Sequence, residues 1–116
     1  MIRILSVLIW LAGSTATTLH ADTTAEAEIQ SLIRAVADSG CEFSRNGSLH
    51  SAEAAAEHLE LKYAQGKRYA DSAEAFIEHL ATRSSWSGEP YWMICNGNKD
   101  FASHWLSARL ALLRTP

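Results

Sequence analysis

The chain has 116 residues, with 13 acidic against 10 basic side chains and a net charge of −3. That length is enough for one domain once an amino-terminal leader is set aside, and excludes several. The missing excess of lysine and arginine argues against a nucleic-acid partner.

The start, MIRILSVLIWLAGSTATTLHA, has one basic residue (Arg3), an apolar run from Ile4 to Ala12, and small and hydroxyl residues ending at Ala21. This is the layout of a secretory signal peptide. Its apolar run is shorter than the ~20 residues needed to span a bilayer, so no permanent membrane anchor is expected. Cleavage after Ala21 puts Leu19 at the −3 position, and Ser14 with Ala16 forms a second candidate site. The expected organisation is therefore a signal peptide over 1–21 and a single compact domain over 22–116, exported to the periplasm. The leader contains Arg3 and no acid, so the mature domain is more acidic still.

Residues 25–39 place Ile29, Leu32, Ile33 and Val36 on one helical face, and Gly40 follows as a stop. In CEFSRNGSLHS, Asn46-Gly47 between two short runs predicts a two-residue hairpin, since both central residues must take positive φ. A second helix opens at Ser51 as N-cap, with Ala52, Ala55, Ala56, Leu59 and Tyr63 on one face, and ends at Gly66. A third, capped by Asp71 or Ser72, carries Ala73, Phe76, Ile77 and Leu80. The segments SAEAAAEHL and SAEAFIEHL differ at two of nine positions. Two units are too few for a solenoid, and a serine cap with early glutamates suits any short helix start. Pro90 leads into a late strand, YWMIC; NGNKD turns the chain; a last helix follows, with Asp100 as cap and Ala102, Trp105, Leu106, Leu110 and Leu113 inward. The expected fold is a helix-dominated α+β domain of about four helices with a small antiparallel sheet, a hairpin plus one late strand.

Cys41 and Cys95 are the two cysteines. In an exported domain a disulfide between them is the default, with two buried free thiols as the alternative. It would set the late strand beside Glu42–Arg45. An antiparallel pairing would then bring TRSSWSGEPY toward the Arg45-Asn46-Gly47 turn.

Ser85-Trp86-Ser87-Gly88 does not match the nucleophile elbow and no Ser-x-x-Lys occurs, so no catalytic residue is expected. The four mature histidines, His50, His58, His79 and His104, lack the i, i+3 or i, i+4 spacing of helical ligands, and no metal or cofactor is expected. His58, with Lys62 one turn further, could frame a polar pocket at an edge of the second helix. A candidate binding surface then comprises Arg45, Asn46, His58, Ser84, Ser85, Ser87, Gly88 and Tyr91. Arginine supplies a fork of donors for a carboxylate or phosphate, and the serines donate or accept. The competing structural role for Ser84, Ser85 and Ser87 is to stop the third helix.

The blocks Arg45-Asn46-Gly47, His58-Leu59-x-x-Lys62-Tyr63 and Ser84-Ser85-x-Ser87-Gly88-x-Pro90-Tyr91, flanked by Cys41 and Cys95, resemble the YfeK-like family of small exported bacterial proteins. The resemblance spans nearly all of 22–116 and implies a signal peptide, one compact domain and no established activity. The family pattern often has an aromatic residue just after Arg-Asn-Gly, where this chain has Leu49 and His50. Ser87-Gly88-Glu89-Pro90-Tyr91 also resembles the Ser-Gly-x-x-Tyr loop that periplasmic lysozyme inhibitors insert into the enzyme's cleft. The reading favoured is a non-catalytic exported binding module. An inhibitor of a cell-wall hydrolase acting through residues 84–91 comes second and a cell-wall-active enzyme third, with a cell-wall fragment or such a hydrolase as the partner.

Overall fold

The computed structural model describes residues 19–116 together with Ser6 and Gly13, so most of the expected leader over 1–21 lies outside the described residues. The elements are α1 (Leu19–Asp38), β1 (Glu42–Arg45), β2 (Ser48–His50), α2 (Ala52–Gly66), a 3-10 turn (Lys67–Tyr69), α3 (Ala73–Leu80), β3 (Trp92–Cys95), β4 (Asn98–Phe101) and α4 (Ala102–Leu113). Among the described residues no helix is long and apolar enough to cross a membrane.

The expected helical faces form the core. Ile29, Leu32 and Val36 of α1, Leu59 of α2, Phe76 of α3 and Leu106 of α4 are fully buried together with Phe43 and Met93 of the sheet. Ser51 and Ser72 cap α2 and α3 alike, each side chain accepting from the amide three residues on. The two similar nonapeptides therefore do the same local work, filling an orphan donor at a helix start.

The sheet holds one strand more than expected. It is four-stranded and antiparallel throughout, in the order β2-β1-β3-β4, because NGNKD forms a second hairpin rather than a plain turn. Asn96 (φ 53°) and Gly97 (φ 79°) repeat the conformations of Asn46 (φ 51°) and Gly47 (φ 79°). Positive φ at both central residues is the twist that two antiparallel strands need across a two-residue loop. With Asp100 in β4, Phe101 takes the cap position of α4, and the Asp100 carboxylate bonds the Phe101 amide and the His104 ring instead. Leu113, expected inside, is exposed in the last turn, and Trp105 is half-buried against the core.

The two hairpin-helix units are offset by fifty residues at the turns (Asn46, Asn96), at the helix starts (Ala52, Ala102) and at the paired central residues Phe43 and Met93. Two equivalent residues that face each other across an antiparallel ladder lie on a local two-fold axis. That axis exchanges Cys41 with Tyr91 and Arg45 with Cys95. One end of the β1–β3 ladder is accordingly closed by the Cys41–Cys95 disulfide, with Cα atoms 4.6 Å apart. The register carried to the other end sets Arg45 beside Tyr91.

Candidate functional site

Arg45 and Tyr91 open the site at that end. Arg45, Asn46, His58, Lys62, Gln65, Tyr69, Ser84, Ser85, Trp86 and Tyr91 are among the residues lining a cavity of about 490 Å³ between the sheet end, α2 and the loop 82–91. Its lining has three basic side chains and no carboxylate among the described residues.

Asn46 joins the loop to the hairpin turn. Its Nδ2 donates to Ser84 Oγ at 3.3 Å, and its Oδ1 accepts from Ser87 Oγ. Ser84 is buried, and its hydroxyl also accepts from the amides of Trp86 (3.1 Å) and Ser87 (3.2 Å), while Gly88 turns the chain at φ 78°. Helix α3 is stopped elsewhere. Thr82 Oγ1 donates to the Ile77 carbonyl and the Ala81 amide closes the last turn, so the competing role of the serines, to stop this helix, is filled by other groups. They organise the loop itself, an arrangement their short hydroxyl side chains favour.

At the base of the cavity the Tyr91 hydroxyl is a shared partner. Lys62 Nζ donates to it at 3.1 Å and to the Arg83 carbonyl at 3.0 Å, and His58 Nε2 lies 3.2 Å away. Burial, then the charge of Arg45, brings the Lys62 ammonium down to about 8. Burial, then Arg45 and Lys62, holds the His58 imidazole down to about 4, so at neutral pH the ring is uncharged. Burial pushes the Tyr91 phenol up. With the Tyr91 oxygen accepting from Lys62, its proton is donated to His58 Nε2.

Of the sequence-nominated residues, Arg45, Asn46, His58, Ser84, Ser85 and Tyr91 line the cavity, whereas Ser87 and Gly88 shape the loop behind it. Tyr69 and Trp86 were not nominated. Trp86 stood in the quoted loop, and its 89 % exposure is visible only in the fold; Tyr69 reaches the rim through a 3-10 turn that carries no hydrophobic period. Among the described residues no group of three or more histidine, cysteine, aspartate or glutamate side chains is placed to hold a metal ion.

The low His58 value sets a pH dependence. The unfolded chain takes up the imidazole proton near 6.5 and the folded chain only near 4, so between these values the unfolded state binds the extra proton. The contribution is full above about 6.5 and is lost as pH falls toward 4, amounting to ~1–2 kcal/mol after allowance for partial hydration of the ring. Urea midpoints at pH 7 and pH 4.5 should converge in His58→Gln relative to the parent. An equal drop in both proteins would contradict it.

Fold and site together define a small, disulfide-tied α+β domain with a cationic cavity at the end of its sheet. Residues 23–114 match the family of unknown function DUF5329, and the chain belongs to that family. It is 40% identical over 67 residues, 57% of this chain, to the uncharacterized protein YfeK of Salmonella typhimurium. The aligned stretch covers 56% of that relative's length. No solved structure matches the chain.

Proposed function

We propose that this domain is an exported, non-catalytic binding module whose cavity takes an anionic, sugar-like group such as a cell-wall fragment. The observation that carries the reading is the pairing of the Arg45 and Lys62 cations beside a neutral His58 in one cavity, with no lining carboxylate among the described residues, in a chain of net charge −3. Cation without counter-ion in a partly desolvated site favours an anion, and arginine's planar fork suits a carboxylate or phosphate. Trp86 and Tyr69 at the rim, both largely exposed, supply flat faces for a sugar ring. Export is supported by the disulfide, a bond that persists in oxidising compartments.

Inhibition of a cell-wall hydrolase by residues 84–91 ranks behind it. In the resembling inhibitors the loop as a whole enters the enzyme's cleft, whereas here Tyr91 is buried and Ser87 is bonded to Asn46. Trp86 and Ser85 remain available for such an insertion.

Calorimetry with N-acetylmuramic acid and muropeptides, against an uncharged chitin disaccharide, tests the proposal. The anionic ligands should bind in preference, and Arg45→Ala should weaken them by about tenfold to a hundredfold, the worth of a hydrogen bond to a charged group. Ser85→Ala should weaken them less, and both variants should remain folded. Binding of the uncharged sugar alone, or an Arg45→Ala variant that binds like the parent, would refute the assignment.

A further inference from the structure

We propose that Lys62 is a site of reversible covalent capture, its amine condensing with the carbonyl carbon of a small anionic aldehyde or 2-oxo acid seated in the Arg45 cavity. This rests on the cavity being an anion site and adds the chemical class of what it takes.

Lys62 sits at the edge of the core face of α2. Leu59 and Tyr63 of the same helix are buried, and Lys62 itself is only 9 % exposed yet lines the cavity. A buried lysine normally has a carboxylate partner, since an unpaired buried ammonium is costly. Among the described residues Lys62 has none: its hydrogen-bond partners are a backbone carbonyl and a phenol, both neutral. The nearby guanidinium of Arg45 further disfavours the charged form. Desolvation beside a second cation is the setting in which a lysine amine serves as a nucleophile toward carbonyls. The chain's other two lysines sit differently. Lys67 is exposed and 3.9 Å from Glu26, and Lys99 is exposed over the Trp92 ring.

The hydrogen-bond geometry accommodates the neutral amine. Its two N–H groups are those donated to the Arg83 carbonyl and the Tyr91 hydroxyl, which leaves the lone pair for the ligand. Arg45, the cation that the ladder register sets beside Tyr91, holds the ligand's carboxylate. The lone pair attacks the carbonyl carbon while the Tyr91 hydroxyl protonates the carbonyl oxygen and recovers a proton from nitrogen. The resulting carbinolamine loses its hydroxyl with the remaining nitrogen proton as water, leaving a neutral imine. Tyr91 is unchanged overall, and no oxidant or reductant is required. In the empty cavity His58 accepts the Tyr91 hydroxyl hydrogen bond, which the ligand's carbonyl oxygen takes over once it is seated.

Trapping with glyoxylate tests this. The purified protein is treated with glyoxylate and sodium cyanoborohydride at pH 7, and carboxymethyl-lysine is read on each lysine peptide by mass spectrometry. Lys62 should be modified at least about tenfold faster than Lys67 or Lys99. Arg45→Ala should slow trapping of glyoxylate at Lys62 by a larger factor than trapping of uncharged propanal, which loses only the guanidinium's effect on the amine. In parallel, Trp86 emission with glycolate, an anion without a carbonyl, reads filling of the cavity alone. Even modification of the three lysines, or an unreactive Lys62 in a protein that glycolate fills, would overturn covalent capture and leave the anion site standing. A cavity that responds to neither glycolate nor glyoxylate would overturn both. The slower lysines are controls within the same folded molecule, so the comparison does not depend on how Lys62→Arg folds.

Discussion

Removing the cross-link in a Cys41→Ala/Cys95→Ala variant lowers the stability of the domain by about 4 kcal/mol, the loop-closure entropy released to the unfolded chain by a bond closing some 54 residues. For a domain of this size that corresponds to a fall in melting temperature of roughly 15 °C or more. Circular-dichroism melts of the variant, and of the parent with and without reductant, read the effect directly. The disulfide closes the end of the β1–β3 ladder away from the site, where it also fixes the register that sets Arg45 beside Tyr91. An unchanged melting temperature would show that the core holds these strands without it.

Tyr91 separates core from site within one side chain. Its ring is buried and packs 5.1 Å from the Phe43 ring, so Tyr91→Ala opens a cavity at the junction of sheet and helices and should cost ~3–5 kcal/mol. Tyr91→Phe keeps the ring and removes only the hydroxyl shared by Lys62 and His58. That should cost about 1–3 kcal/mol, the penalty for leaving buried polar groups with a lost partner. Chemical denaturation of the three proteins gives the two differences. If Tyr91→Phe were as damaging as Tyr91→Ala, the hydroxyl would be the main structural element. If it cost nothing, the hydrogen bonds at the base of the cavity would not form in solution.

Much of this architecture is legible in the sequence because it rests on local rules. Ile29, Leu32, Ile33 and Val36 announce the face of α1 by spacing alone, and Ser51 and Ser72 mark helix starts by chemistry alone. The fourth strand carries a turn signal without a strand signal. Asn96-Gly97 carries the same turn chemistry as Asn46-Gly47, but the run after it, Asn98–Phe101, is polar and exposed on an edge, so no alternation betrays it. The approach of the serine loop to Arg45 follows from one long-range constraint, the cysteine pair, combined with antiparallel register. What no local rule contains is the division of labour inside the loop. Ser84 and Ser85 are neighbours of one residue type and both line the cavity, yet one is buried as the hub of a turn and the other is exposed. That difference depends on the Asn46 amide, thirty-eight residues from Ser84 along the chain.

The most direct test of the central claim is amide chemical-shift mapping during titration with N-acetylmuramic acid. Shifts confined to Arg45, Asn46, His58, Lys62, Ser84 to Trp86 and Tyr91, and lost in Arg45→Ala, are the predicted result. Saturable shifts centred on another face, or an unperturbed cavity at millimolar ligand, would contradict it.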